Sequence, residues 1–287
     1  MAMQKLRYLA SSAIKRVMGR GNNCPSCGAA MSKTVDAKWW VTELRRCAGC
    51  ALMFRIPTTS HEENAAFYQE AYSQGFTSDC PADEQLAGYL AKGFAGTEKD
   101  YAAYLAVLSA LGVAKGARIF DFGCSWGYGS WQLARAGFSV AAFEISKPRA
   151  AYASQKLAVN FLDPKLEPDA GYDCFFSAHV IEHVPSVREM FDLGMRLLKP
   201  GGLFVAFTPN GSDAYRRAVP EFWHRLWGLV HPQFLDDVFV AKLAAQRSWL
   251  VASNPYPLRE IEGWKGNGTA TCPLAGDELL LVIRKDA

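Results

Sequence analysis

No apolar run in the 287 residues approaches the roughly 20 that a bilayer-spanning helix requires, and the first residues lack the apolar core and small-residue cleavage site of a secretory signal. These absences set aside a spanning or exported protein and lead to the expectation of a cytoplasmic one, at most peripheral to the inner membrane face. Strong charge is lacking too. A net charge of +3 does not call for a nucleic-acid partner, and there is no stripe of basic and aromatic residues, so such a partner is not favoured. Internal repeats and low-complexity segments are absent, which excludes a solenoid. Histidine is scarce, at five residues, and four of them (His179, His183, His224, His231) fall in the second half of the chain. A chain half hydrophobic and of this length holds one substantial core plus a smaller module.

Four of the eight cysteines form two CxxC pairs, Cys24/Cys27 and Cys47/Cys50, with 19 residues between them. In a reducing compartment two such knuckles read as one tetrahedral zinc site, a structural ribbon over residues 21–56 in which the metal supplies most of the stability. Ahead of it, residues 1–20 place Leu6, Leu9, Ala13, Ile14 and Val17 at helical spacing among five basic residues and no acidic one. This is a basic amphipathic helix, either docked on the protein surface or making weak contact with anionic lipid headgroups. Residues 57–96, with Phe67, Tyr68, Tyr72 and Phe76, read as a helical connector or lid. From residue 97 to 287 short apolar runs (RIFDF, SVAAFE, LAVNFL, YDCFFSA, LFVAFT) alternate with helical segments, which implies right-handed βαβ units and a parallel sheet. Residues 209–232 read as an irregular aromatic insertion, and SWLVA and ELLLVI as two final strands.

The run DFGCSWGYG follows the first of those strands. Asp121 ends the strand, Gly123 and Gly127 permit close backbone approach, and Glu144 ends the next strand 23 residues on, where a carboxylate can accept both ribose hydroxyls. A nicotinamide dinucleotide would use the same architecture, but the third glycine of G-x-G-x-x-G is missing, so the pyrophosphate turn is incomplete. A phosphate-free cofactor with a cationic amino-acid end suits an acidic Asp121 better. DFGCSWGYGS resembles the first motif of class I S-adenosylmethionine-dependent methyltransferases. SAHVIEHVPSVREMFDLGMRLLKPGGLFVAFTPN is similar to the ubiquinone-pathway O-methyltransferase branch, and CPSCG, RRCAGC and FYQEAY resemble a bacterial subgroup with a zinc ribbon ahead of the catalytic domain. The resemblance implies a Rossmann-like three-layer α/β sandwich of seven strands, the last antiparallel. It implies S-adenosylmethionine as cofactor, held by Asp121, Gly123, Ser125, Gly127 and Glu144, while Asp163, shortly after the third strand, is a candidate for the adenine amino group, the alternative being an exposed loop aspartate. Ser125 and Ala51 depart from the family pattern, which has glycine at both places.

His179, Glu182 and His183 stand at i, i+3 and i+4 after the fourth strand, so a helical turn there directs all three to one side, where acceptor meets methyl group. In relatives, including the small-RNA 2′-O-methyltransferases, a similar Glu-x-x-Glu-His supports a divalent cation. Here His179 replaces the first glutamate, and His179, Glu182 and His183, completed by His231, form a set whose softer ligands favour Zn²⁺, Fe²⁺ or Mn²⁺ over Mg²⁺. The alternatives are His183 as base or acceptor-orienting group, or Glu182 and His183 capping or bracing the next helix while His179 lines the cofactor pocket. The expected function is methyl transfer, chiefly to oxygen, of a small molecule or glycan intermediate. A nicotinamide-dependent oxidoreductase and a ribbon binding module on an inactive scaffold are the rivals.

Overall fold

The computed structural model describes residues 2–70 and 79–286, so Tyr72 and Phe76 of the connector lie outside the described residues. The main sheet is built from β4 (Arg118–Phe122), β5 (Ser139–Phe143), β6 (Tyr172–Ala178), β7 (Leu198–Pro209), β9 (Trp249–Ser253), β10 (Thr269–Thr271) and β11 (Glu278–Arg284). Their spatial order is β10-β9-β11-β7-β6-β4-β5. Only β11 runs antiparallel to its neighbours, which are β7 and β9. The central strands are buried on both faces because alternate residues feed two cores, while edge strand β10 stays largely exposed. Phe120, Phe175, Phe204, Leu281 and Ile283 pack on one side with α7 (Val187–Leu197) and α10 (Asp237–Ala244). Ile119, Cys174, Phe176, Val205 and Val282 pack on the other with α4 (Ala102–Ala110), α5 (Tyr128–Arg135) and α11 (Leu258–Trp264). That alternation makes the three-layer sandwich.

Two details depart from the sequence reading. The LAVNFL run forms no strand beyond a single bridge, Phe161 to Ala142, and the seventh strand is β10 instead. The insertion is also more regular than expected. It holds α8 (Asp213–Ala218), capped by Ser212 accepting from the Tyr215 amide, and α9 (Pro220–Leu226), which starts on a proline.

The ribbon is a meander of β1 (Ser32–Lys38), β2 (Thr42–Cys47) and β3 (Met53–Ile56), closed by β8 (Gln233–Phe234), which directly follows the distant insertion and pairs antiparallel with Met53 and Phe54. The ribbon is not limited to the core that its own few residues can build. All four residues of β3 are buried, and Cys24, Cys47, Leu52, Phe54 and Ile56 share one cluster with Phe191, Leu235 and Phe239 of the large domain. Apolar burial against the main sheet therefore adds to whatever the metal contributes.

The N-terminal helix α1 (Ala2–Val17) lies across the ribbon, with Arg16 paired to Glu43 of β2 and Tyr8 bonded to Arg55 of β3. The connector forms α2 (His61–Glu70) and α3 (Asp83–Ala91), and α6 (Lys147–Leu157) follows β5. No helix among the described residues is long and apolar enough to cross a membrane.

Candidate active site

The carboxyl ends of β4, β5, β6 and β7 open on one edge, the edge at which open α/β sheets bind ligands. Beyond β4 the chain turns back, the Gly123 and Cys124 amides both donating to Phe143 O (2.7 and 3.1 Å), and α5 begins after Gly127. Gly123 and Gly127 have φ of +84° and +87°. A Cβ at 123 would lie 2.4 Å from Val180 Cγ2, and one at 127 would lie 2.7 Å from Ala153 Cβ. Both glycines are thus dictated by packing of the loop on its own protein as well as by backbone conformation. Ser125 is also left-handed (φ 56°), and its Oγ accepts a 2.6 Å bond from Arg149 Nη1. Arg149 is buried, and burial brings its pKa down to about 9. This arginine was missed in the sequence because it reads as an ordinary first-turn residue of α6.

Glu144 accepts from the Ser125 and Ser146 amides at 2.9 and 2.8 Å, and Asp121 accepts from Ser130 Oγ at 2.5 Å. Burial pushes both carboxyls up, Glu144 to about 6 and Asp121 to about 7, the Ser130 bond opposing the second shift and the Glu144 charge adding to it. A carboxylate has about four lone-pair sites, so Glu144 fixed by backbone amides retains capacity for the hydroxyls of a ribose. The pair of carboxylates, Asp121 buried and Glu144 half-buried, suits a sulfonium cofactor with an amino-acid end. Asp163 follows the single bridge from Phe161 to Ala142 of β5. It is exposed, and its Oδ1 accepts from the Lys165 amide at 2.9 Å, as in an aspartate-capped turn.

At the next strand end the three expected residues come together through a tight turn, the His183 amide donating to Val180 O at 2.8 Å. Glu182 is fully buried. Its Oε2 accepts from Thr208 Oγ1 at 3.0 Å, while Oε1 accepts no hydrogen bond and lies 3.5 Å from His183 Nε2 and 3.6 Å from His179 Nδ1. His183 Nδ1 lies 2.5 Å from Val230 O, and His231 Nδ1 lies 3.0 Å from Leu226 O. A carbonyl can only accept, so in each ring Nδ1 carries the proton and, when the ring is neutral, Nε2 carries the lone pair. The ligand atoms of Glu182, His183 and His231 all lie within 4.8 Å of one another, which is one carboxylate and two imidazoles placed to hold a metal ion.

His179 does not join that group. Its backbone is left-handed (φ 55°), and its Nε2 pairs with Glu278 at the start of β11, which also accepts from Tyr104 (2.7 Å) and Tyr256. Desolvation opposes charging of this ring, but Glu182 and Glu278 outweigh it and push its pKa up to about 10. Burial brings His183 down to about 4, against the Glu182 charge, and it is neutral near pH 7. Glu182 itself is held at about 2, the histidines overcoming the effect of burial. Tyr68 of α2 meets His183 edge to face, and Gln69 donates to Ile145 O, so the connector reaches over both halves of the site. His224 instead pairs with Asp36 of β1, and exposed His61 with Glu189.

Among the described residues the four ribbon cysteines form a second cluster of potential metal ligands, with Sγ of Cys24 and Cys50, and of Cys27 and Cys47, each 3.5 Å apart. Thiolates at about 2.3 Å from one zinc ion sit roughly 3.8 Å apart, so the cluster could bind zinc. Its knuckles match, Gly28 and Ala51 occupying equivalent left-handed positions (φ 73° and 68°).

A family model described as a methyltransferase domain matches residues 95–249, more than half of the chain, and the chain belongs to that family. Its class is that of the S-adenosylmethionine-dependent methyltransferases, and the nicotinamide alternative is not favoured. The ubiquinone biosynthesis O-methyltransferase of Caulobacter vibrioides is 29% identical over 163 residues, covering 49% of this chain and 65% of that protein. Its counterpart in Xylella fastidiosa is 32% identical over 148 residues, covering 47% and 59%. The chain thus spans less than two thirds of either relative. Among solved structures, a Pyrococcus horikoshii protein superposes with a TM-score of 0.50 at 15% identity, covering 76% of this chain and 99% of that one, a likeness of fold.

Proposed function

We propose that the protein transfers the methyl group of S-adenosylmethionine to a hydroxyl oxygen of a small-molecule or glycan acceptor, at an edge where Glu182, His183 and His231 hold a divalent cation. One observation supports this above the others: the buried Glu182 Oε1 accepts no hydrogen bond while two rings, each with Nδ1 tied to a backbone carbonyl, converge on it. Asp121, Gly123, Ser125, Gly127 and Glu144 hold the cofactor, and Asp163, exposed beyond the Phe161 bridge, receives the adenine amino group. When bound, the cofactor supplies a methyl group on a good leaving group, and the cation lowers the pKa of an acceptor hydroxyl. Glu182 stays ionised, His183 stays neutral, and the His179 cation with Glu278 orients the acceptor beside them. Tyr68 of α2, edge to face with His183, shields that ring from water. A second reading uses the same His183 Nε2 lone pair as the base that takes the hydroxyl proton.

Zinc in the Cys24, Cys27, Cys47 and Cys50 cluster holds the ribbon. Residues 1–20 make a weak contact with anionic lipid, supported by the exposed Leu6, Ile14 and Val17 and by Trp39 and Trp40, which project from the β1–β2 turn next to the α1 contact at Glu43. The test is a screen of hydroxyl-bearing metabolites with methyl-labelled cofactor. Changing His183 to Ala should lower turnover at least tenfold and leave cofactor affinity within a few-fold. An unchanged rate removes His183 from the mechanism.

A further inference from the structure

The two histidine rings take their orientation from carbonyls of one loop, residues 226–232, and that loop is held from outside by the ribbon. Its carbonyls divide by direction. Leu226 O and Val230 O face inward to His231 and His183. Trp227 O accepts from Lys38 Nζ of β1, and Gly228 O accepts from Arg55 Nη1 of β3 at 3.1 Å. Pro232 O accepts from the Arg55 backbone amide at 2.7 Å, and the loop closes on itself with Gly228 N donating to His231 O at 3.1 Å. One residue of the ribbon therefore grips both ends of the segment that contains Val230 and His231.

Arg55 is suited to that task. It is 3% exposed, an unusual place for an arginine, and its guanidinium is satisfied by oxygen acceptors. Besides Gly228 O these are Pro57 O (3.2 Å), Tyr8 Oη (3.2 Å) and Thr59 Oγ1 (2.6 Å). The planar fork has five donors in fixed directions, so acceptors from α1, the connector and the loop are placed relative to one another. Burying that cation without specific acceptors would be costly, which makes the arrangement rigid.

We propose that Arg55 is a positioning residue for the active site: through the Gly228 to Pro232 segment, the ribbon sets the tautomer and direction of His183 and His231. This gives the ribbon a role in building the acceptor edge and rests on the reading of that edge given above. Loosening the segment would let Val230 O drift from His183 Nδ1 and carry His231 Nδ1 away from Leu226 O at the end of α9, and each ring would then sample both tautomers.

The test is long-range ¹⁵N–¹H correlation of the histidine rings in the full-length, zinc-loaded protein, with exposed His61 as internal control. Wild type should show His183 and His231 as single Nδ1–H tautomers. Arg55→Gln should lose that signature at both rings, leave His61 unchanged and weaken Co²⁺ binding at the Glu182, His183 and His231 site at least tenfold, the scale on which outer groups act on ligand histidines. Arg55→Lys, which keeps the charge but not the fork, should fall between. If Arg55→Gln does not fold, the pair Tyr8→Phe and Thr59→Ala, which unseats the guanidinium without removing it, should produce the same averaging to a smaller extent. Fixed tautomers in wild type that persist in whichever of these variants folds overturn this inference alone. Averaged tautomers in wild type overturn the reading of the histidine edge and this inference with it.

Discussion

Replacing Ser125 by glycine restores the residue that the family pattern has in the cofactor loop, and a consensus argument expects a more stable protein. The structure predicts the opposite. At φ 56° a serine carries left-handed strain of about 1–2 kcal/mol, which glycine relieves. Glycine returns about 0.4–1 kcal/mol of that through the greater freedom of the unfolded chain. The net gain is therefore below roughly 1.5 kcal/mol. Against it stands the 2.6 Å bond from Arg149 Nη1 to Ser125 Oγ, charge-assisted and at a buried arginine. Removing such a bond costs about 1.5–3 kcal/mol. Ser125→Gly should thus destabilise by about 1 kcal/mol, and Ser125→Ala, which loses the bond but keeps the strain, by about 2 kcal/mol. Urea unfolding of the three proteins at constant m-value measures both differences. A Ser125→Gly protein more stable than wild type would show that the Arg149 bond contributes less than the strain, and an alanine variant as stable as the glycine one would show that the strain is absent.

Glu144 and Asp121, raised by burial to about 6 and about 7, favour their neutral forms in the folded protein, so ionising them costs stability that is fully felt above those values. A cofactor that needs both ionised forms should bind about a thousandfold more weakly at pH 5 than at pH 8, and about tenfold more weakly if only Glu144 must be ionised, followed through the fluorescence of buried Trp126; affinity independent of pH would remove both carboxylates from the contact. Glu278→Gln takes away one of the two carboxylates that keep His179 protonated, so the ring's pKa should fall from about 10, and an NMR titration that finds it unmoved would refute the pairing. Treatment with a strong zinc chelator should release about one zinc per chain from the cysteine cluster and lower the melting temperature, whereas a metal-free protein that melts identically would leave the ribbon's stability to its apolar contacts alone.

What could be read from the sequence was what is local in the sequence. The cofactor loop, Glu144, the CxxC pairs and the His179 to His183 turn each lie within one short segment whose spacing has a physical meaning. The missing parts come from packing between distant segments. Glu278 reaches His179 across 99 positions, and nothing about an acidic residue ahead of a strand announces that. Arg149 and Tyr104 read as ordinary helix residues because their partners, Ser125 and Glu278, are supplied by other elements. The ribbon seemed short of core for the same reason. Its fourth strand lies in residues 233–234, and its apolar residues are covered by helices α7 and α10. The LAVNFL run failed as a strand at the free edge beside β5, where only one bridge holds it.

The charges at the acceptor edge support the same conclusion as the ligand geometry. Glu182 and Glu278 are held below the ordinary carboxylate range and His179 is held protonated, while His183 is driven neutral. Two negative charges facing one positive charge leave a deficit of one beside the buried Glu182, and that deficit repels an anionic acceptor and attracts a cation. The same reasoning separates the two readings of His183. A divalent cation would overcompensate the deficit and favour an ionised acceptor hydroxyl, so activity should follow the identity of the added metal in order of ligand preference. If His183 acts as a base without metal, activity should be indifferent to metals and fall as pH drops towards 4, where the ring gains its proton. Rates measured across pH after thorough metal removal, with and without Co²⁺ or Mn²⁺ returned, decide between them.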